Sequence, residues 1–152
     1  MGGTVGAAPS VRRRRYDLAM AVAAPTALAR LRTAADDGTL EQVCERRGVR
    51  LLSAFGSALW SPTPGDLDIG VSFCGEADLL GLIDDLTVLT GSDDLDVAVI
   101  DRADPVLRAR ALSGLGLYER VAGQFATEQM AALAEERDTR WLRQLDVETL
   151  IR

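Results

Sequence analysis

The chain contains no histidine, no lysine and no asparagine, and all 17 of its basic residues are arginine. Without imidazole there is no Ser-His-Asp or Cys-His nucleophile pair and no histidine zinc site; without lysine there is no Walker-type phosphate loop and no Schiff base. Cysteine is scarce. Cys44 and Cys74 are too few for a disulfide framework and are not spaced as a metal knuckle, so both are expected to be small apolar packing residues in a reducing cytosol. Long apolar runs are missing too: no stretch approaches the roughly 20 residues that cross a membrane. Arg12–Arg15 followed by Leu18 to Ala24 and by Ala27-Leu28-Ala29 mimics a secretion signal. Asp17 interrupts its junction, however, and Pro25 cuts the run to about seven residues, the short limit for such a segment. The expectation is a cytoplasmic protein without membrane contact.

What is present is 152 residues, 47% hydrophobic and 26% charged, which describes one globular domain with a single core. The net charge of -6 excludes broad electrostatic capture of nucleic acid, so no direct nucleic-acid binding is expected. Arg12–Arg15 read as part of a solvated flexible arm over residues 1–15. Aspartate is abundant, 15 residues against 8 glutamates. Catalysis in this chain is therefore restricted to carboxylates, hydroxyls, arginine, the two thiols or a bound metal.

Periodicity sets the order of elements. A helix from Pro25 carries Leu28, Leu31 and Ala35 and ends at Asp36-Asp37-Gly38. A second starts on Thr39-Leu40-Glu41-Gln42, which reads as a capping box, buries Leu40, Val43 and Cys44, and closes at Gly48. Val49 to Phe55 reads as a buried strand running into Gly56-Ser57, and Leu67 to Phe73 alternates as a half-buried strand. A helix over Ala77 to Leu89, with Leu79, Leu80, Leu82, Ile83, Leu86 and Leu89 at helical spacing, stops at Gly91. A strand over Leu95 to Ile100 follows, then a helix opened by Asp104-Pro105 that ends near Gly114, an edge strand over Leu115 to Tyr118, and a long helix from Gln124 to Arg143. The fold class is α/β (α+β): a small mixed sheet of three to four strands flanked by helices, with the domain over 16–125 and a C-terminal amphipathic helix over 126–152 that packs on the domain or on a partner.

The chemistry concentrates around Asp66-Leu67-Asp68. Residues two apart on a strand share a face, so both carboxylates point one way while Leu67 and Ile69 enter the core. Two carboxylates held this close, with no nearby basic residue in sequence, call for a cation or a shared proton. Mg²⁺, a hard ion held by one or two carboxylates plus substrate phosphates, suits them, and Asp96 on a second strand completes a three-carboxylate set if the strands are neighbours. Gly56 lets a phosphate approach the backbone, and Ser57 and the N–H groups after it can donate to that phosphate. The tripeptide Asp-Leu-Asp recurs at 94–96, and at this aspartate content either copy alone is weak evidence. The informative feature is the order: buried strand, Gly-Ser, short loop, Asp-x-Asp opening a strand, one helix, and a strand with an early Asp.

Ser53-Ala54-Phe55-Gly56-Ser57 through Asp66-Leu67-Asp68-Ile69-Gly70-Val71, with Asp96 and Gly116-Leu117-Tyr118-Glu119-Arg120 downstream, resembles the minimal nucleotidyltransferase family of the DNA polymerase β-like nucleotidyltransferase superfamily. The likeness spans about residues 40–125. It implies the nucleotidyltransferase fold and a two-Mg²⁺ transfer of a nucleoside monophosphate from ATP or another NTP to a hydroxyl. By position, Gly56 and Ser57 would hold the β- and γ-phosphates, Asp66, Asp68 and Asp96 would ligate the metals, and Asp96 could accept the proton. It further implies an antitoxin that adenylylates a Tyr on a HEPN-type toxin encoded nearby. A small-molecule (antibiotic-type) acceptor, or a pseudo-enzyme that neutralises its partner by binding alone, is the alternative. One departure is plain: the eight residues between Ser57 and Asp66 include Trp60, Pro62 and Pro64 but no arginine, and Gly65 stands where the family carries Ser. Trp60 is a candidate for base stacking or loop packing, Tyr118 for the core, and Arg137, Arg140 and Arg143 for a solvated face or a partner surface.

Overall fold

The computed structural model describes residues 22–151. The 1–15 arm and most of the signal-like segment lie outside the described residues. Helix α1 (Ala24–Asp36) has Pro25 in its first turn and buries Ala24, Ala27, Leu28, Leu31 and Ala34. Helix α2 (Thr39–Arg46) buries Leu40, Val43 and Cys44. Its start differs from the predicted capping box. Gly38 caps it in the left-handed region, at φ 85°, and the Thr39 N–H donates to the Asp37 carboxylate at 2.9 Å. The glycine reverses the chain so tightly that the preceding aspartate, not Thr39, reaches the free N–H.

Strands β1 (Val49–Phe55) and β2 (Leu67–Phe73) have the predicted bounds. A 3-10 turn (Gly56–Leu59) leaves the end of β1. Helix α3 (Leu79–Thr90) opens on Asp78, which accepts the Gly81 N–H, and closes at Gly91. Leu82 and Leu86 are buried, but Leu80, predicted on the same face, is 77% exposed. It lies one 100° step round the helix from Leu79, outside the stripe. Strand β3 (Leu95–Val99) is one residue shorter than predicted, because Ile100 turns into a 3-10 segment (Ile100–Arg102) and anchors the core there. Helix α4 (Pro105–Leu112) is capped by Asp104, whose carboxylate accepts the Val106 and Leu107 N–H groups. Strand β4 (Leu115–Glu119) follows, then helix α5 (Gln124–Ile151), which runs past the predicted end at Arg143 because neither Gly nor Pro interrupts it.

The sheet order is β3-β2-β1-β4, with β1 antiparallel to both neighbours and β2 parallel to β3. Alternation divides β1 and β2 between two layers. Leu52, Ala54, Leu67, Ile69 and Val71 pack under α1, α2 and α3, while Leu51 and Phe55 face Ala111 and Leu112 of α4 and Ala132 of α5. Gly70 is required at the second seam, since a Cβ there would stand 2.9 Å from Ala111 Cβ and 2.8 Å from Ser53 Oγ. The Ser53 hydroxyl donates to the Ala111 carbonyl at 2.8 Å, bonding α4 to β1. At the far end of this face Arg50 donates to Glu128 of α5 at 2.6 Å and to Ser72, Ser72 donates to Asp101 at 2.6 Å, and Arg108 donates to the other Glu128 oxygen at 3.0 Å. Arg50, ahead of Arg108, holds the Glu128 carboxyl below its ordinary range.

Fully buried Leu86 and exposed Leu80 separate core from surface on one helix. Leu86→Ala is expected to lower unfolding stability by about 2–5 kcal/mol, and Leu80→Ala to stay within about 0.5 kcal/mol of the parent, both read by urea denaturation.

Candidate active site

The parallel pairing of β2 and β3 aligns the two Asp-Leu-Asp tripeptides side by side. Leu67 is opposite Leu95 and Asp68 is opposite Asp96, while the Leu67 N–H donates to the Asp94 carbonyl at 3.1 Å. Leu67 is fully buried toward α1–α3, so Asp68 and Asp96 stand on the α4 side of the sheet, with Asp66 at the mouth of β2. Asp66 and Asp96 are exposed and Asp68 is half-buried. The structure thus brings together the three predicted carboxylates. It adds two that sequence reasoning did not place there: Asp93 and Asp94 line, with Gly65, Asp66, Leu95 and Asp96, an open cleft of about 550 Å³. The available signal was the repeated tripeptide, informative only once the strand register is known.

The Gly56–Ser57 turn meets this group from β1, because Phe55 at the strand's end is opposite Asp68. Gly56 has φ 75°, and a Cβ on it would collide with the Asp68 carboxylate. Conformation and space therefore both require glycine here. The first N–H groups of a 3-10 turn have no partner within it, and the Ser57 hydroxyl makes no hydrogen bond among the described residues. Trp60, carried by the same turn through its N–H to the Ser57 carbonyl, is 78% exposed.

Burial, then the charge of Asp96, then that of Asp66 push the Asp68 carboxyl above its ordinary range, and Arg110 of α4 opposes them. Arg110 is a third site residue that the sequence did not disclose. Among the described residues no three carboxylates close into a ready-made metal cage. The donor set is nevertheless all carboxylate oxygen, crowded enough to raise one member's proton affinity, and it fits a hard divalent cation whose shell phosphates and water complete.

The remaining candidates resolve simply. Tyr118 is partly buried against the larger core, which raises its phenol. Arg140 and Arg143 donate to Glu136 at 2.8 and 2.9 Å, as a solvated helix face does. Cys44 is buried as expected, whereas Cys74 is exposed, because it follows the last sheet residue, Phe73, and packs in no core. No helix among the described residues is long and apolar enough to cross a membrane.

No protein-family model and no curated protein sequence matches the chain. Solved structures share its fold. A chain of a toxin–antitoxin MntA–HpeT complex bearing two Asp-to-Glu mutations superposes with a TM-score of 0.61 at 16% identity, covering 76% of this chain and 98% of that one. A toxin–antitoxin structure with AMP-PNP gives 0.60 at 16% identity over 76% and 98%. A complex of tri-AMPylated Shewanella oneidensis HEPN toxin with MNT antitoxin gives 0.59 at 16% identity over 80% and 99%. The architecture is therefore the nucleotidyltransferase fold of these antitoxin structures.

A carboxyl whose folded proton affinity exceeds its unfolded one weakens the fold once both states are ionised, and the penalty vanishes as pH falls through the raised folded value to the unfolded one. In metal-free buffer Asp68→Asn should therefore melt above the parent at neutral pH. The difference should close as pH approaches the ordinary aspartate value of about 3.9, as differential scanning fluorimetry across pH will read.

Proposed function

We propose that this chain is a Mg²⁺-dependent nucleotidyltransferase that moves AMP from ATP to a hydroxyl on a partner protein, a HEPN-type toxin, and so acts as an antitoxin. The observation that carries this reading is the in-register pair Asp68–Asp96, with Asp66 beside it, abutting a glycine turn that has no room for a side chain. The fold likeness to toxin–antitoxin structures, one holding AMP-PNP and another a tri-AMPylated toxin, supports the nucleotide and the partner.

Asp66, Asp68 and Asp96 would hold two Mg²⁺ ions, which supply charge neutralisation at the phosphates when bound. The chain's own residues do the rest. Gly56 admits the β- and γ-phosphates against the backbone, and the Ser57 hydroxyl with the free N–H groups of its turn donates to them. The acceptor oxygen bonds to the α-phosphorus, the bond from that phosphorus to the β-bridging oxygen breaks, and pyrophosphate leaves with the electron pair. Asp96, exposed at the cleft, accepts the proton of the acceptor hydroxyl. The open cleft, with Asp66 and Asp96 exposed on it, suits an acceptor carried on a protein surface.

A second reading, neutralisation by binding alone, is favoured by one observation: the 58–65 loop is free of arginine. Incubation with ATP labelled at the α-phosphate, Mg²⁺ and the product of the adjoining gene separates the two. Transfer predicts label on the partner, reduced about 10²–10³-fold by Asp66→Ala or Asp68→Ala. No label with the parent chain, or equal label with either variant, would sink the transferase reading.

A further inference from the structure

We propose that Arg110 is the phosphate-binding cation of this site, the group that receives the nucleotide's triphosphate where the 58–65 loop offers no basic side chain. This rests on the nucleotidyltransferase reading and adds to it a residue on a different element.

Charge balance creates the need. Asp66, Asp68, Asp93, Asp94 and Asp96 crowd one end of the sheet, and a triphosphate brings several more negative charges to the same place. Arg102 and Arg120 follow the last residues of β3 and β4, at the end of the sheet away from the carboxylates, and five other arginines are already engaged. Arg50 and Arg108 hold Glu128 at the opposite end, Arg46 and Arg47 hold Asp85, and Arg30 donates to the Thr90 carbonyl. The Arg110 side chain is exposed and forms no hydrogen bond or ion pair among the described residues.

Its place is set by packing. Ala111, the next residue, lies directly over Gly70, and Gly70 is two residues beyond Asp68 on the same face of β2. Three residues further along, Gly114 touches Phe55, the residue opposite Asp68: a Cβ on Gly114 would stand 2.8 Å from Phe55 Cβ. The last turn of α4 therefore runs toward the carboxylate end of the sheet and delivers Arg110 there. The charge of the arginine opposes those around Asp68, and no hydrogen bond or ion pair joins it to that carboxylate among the described residues. A guanidinium held this way keeps its five donors free and offers phosphate the planar fork that it binds bidentately.

Isothermal titration of the full chain at neutral pH tests this with three probes: Mg²⁺ alone, inorganic triphosphate with Mg²⁺, and ATP with Mg²⁺. Arg110→Gln should weaken triphosphate and ATP together by about 10–100-fold. It should leave Mg²⁺ alone bound as tightly or more tightly, because a cation beside Asp68 has been removed. Arg110→Lys should recover part of the loss as a point charge. A purely structural role would not move phosphate and metal in opposite directions. Unchanged triphosphate affinity in Arg110→Gln overturns the assignment alone, as does a loss confined to a variant with Arg12–Arg15 all replaced by glutamine. Absence of binding heat for both phosphate probes in the parent chain overturns the nucleotidyltransferase reading itself.

Discussion

Everything at the candidate site depends on the parallel register of β2 against β3, which places Asp68 beside Asp96 with like charges side by side. Such a pair on adjacent strands is unfavourable by a fraction of a kcal/mol to about 1 kcal/mol. The same register fully buries Leu67, Ile69 and Val71, each worth about 1.5–3 kcal/mol. Burial on one face of β2 therefore outweighs repulsion on the other, and the strand can hold carboxylates together with no counterion within bonding distance. Gly56 and Gly70 extend the same constraint: one yields its space to the Asp68 carboxylate, the other lets α4 settle on the sheet.

The α4 side of the sheet is electrically divided. At the end where β1 begins, Arg50, Ser72, Asp101, Glu128 and Arg108 are joined by charge-assisted hydrogen bonds that also fasten α5 to the domain. At the other end five aspartates gather, and the charge of Arg110 opposes theirs at Asp68 with no bond to that carboxylate. One composition serves both ends, so the difference lies in pairing. Satisfied ions hold the fold; unsatisfied carboxylates leave a field that attracts cations and, through them, phosphate. Confining the repulsion to a strand anchored by its leucines keeps it from loosening the helices.

Most of the architecture was legible because it is written locally. Alternation in Leu67–Phe73, the Asp104-Pro105 start and the glycines at 48 and 91 each specify an element within a few residues of themselves. What escaped was either a competition between neighbours or a long-range juxtaposition. Asp37 displaced Thr39 as the source of the α2 cap because Gly38 takes the left-handed conformation, and Leu80 fell off its stripe by a single 100° step. Asp66, Asp68 and Asp96 could be named from their order in the chain. Asp93 and Asp94 needed the strand register, and Arg110 needed the seam between Gly70 and Ala111, which joins residues some forty positions apart.

The two cysteines carry a practical consequence. Cys44 is fully buried and its thiol is pushed up to about 12, chiefly by burial, so it is inert to alkylating reagents while the fold is intact. Cys74 is exposed just past the last residue of β2, whose aspartate lies near its first. Seven strand residues span about 23 Å. A maleimide dye would therefore mark one defined point at the opposite end of the central strand from the carboxylates, giving the molecule a built-in ruler without engineering.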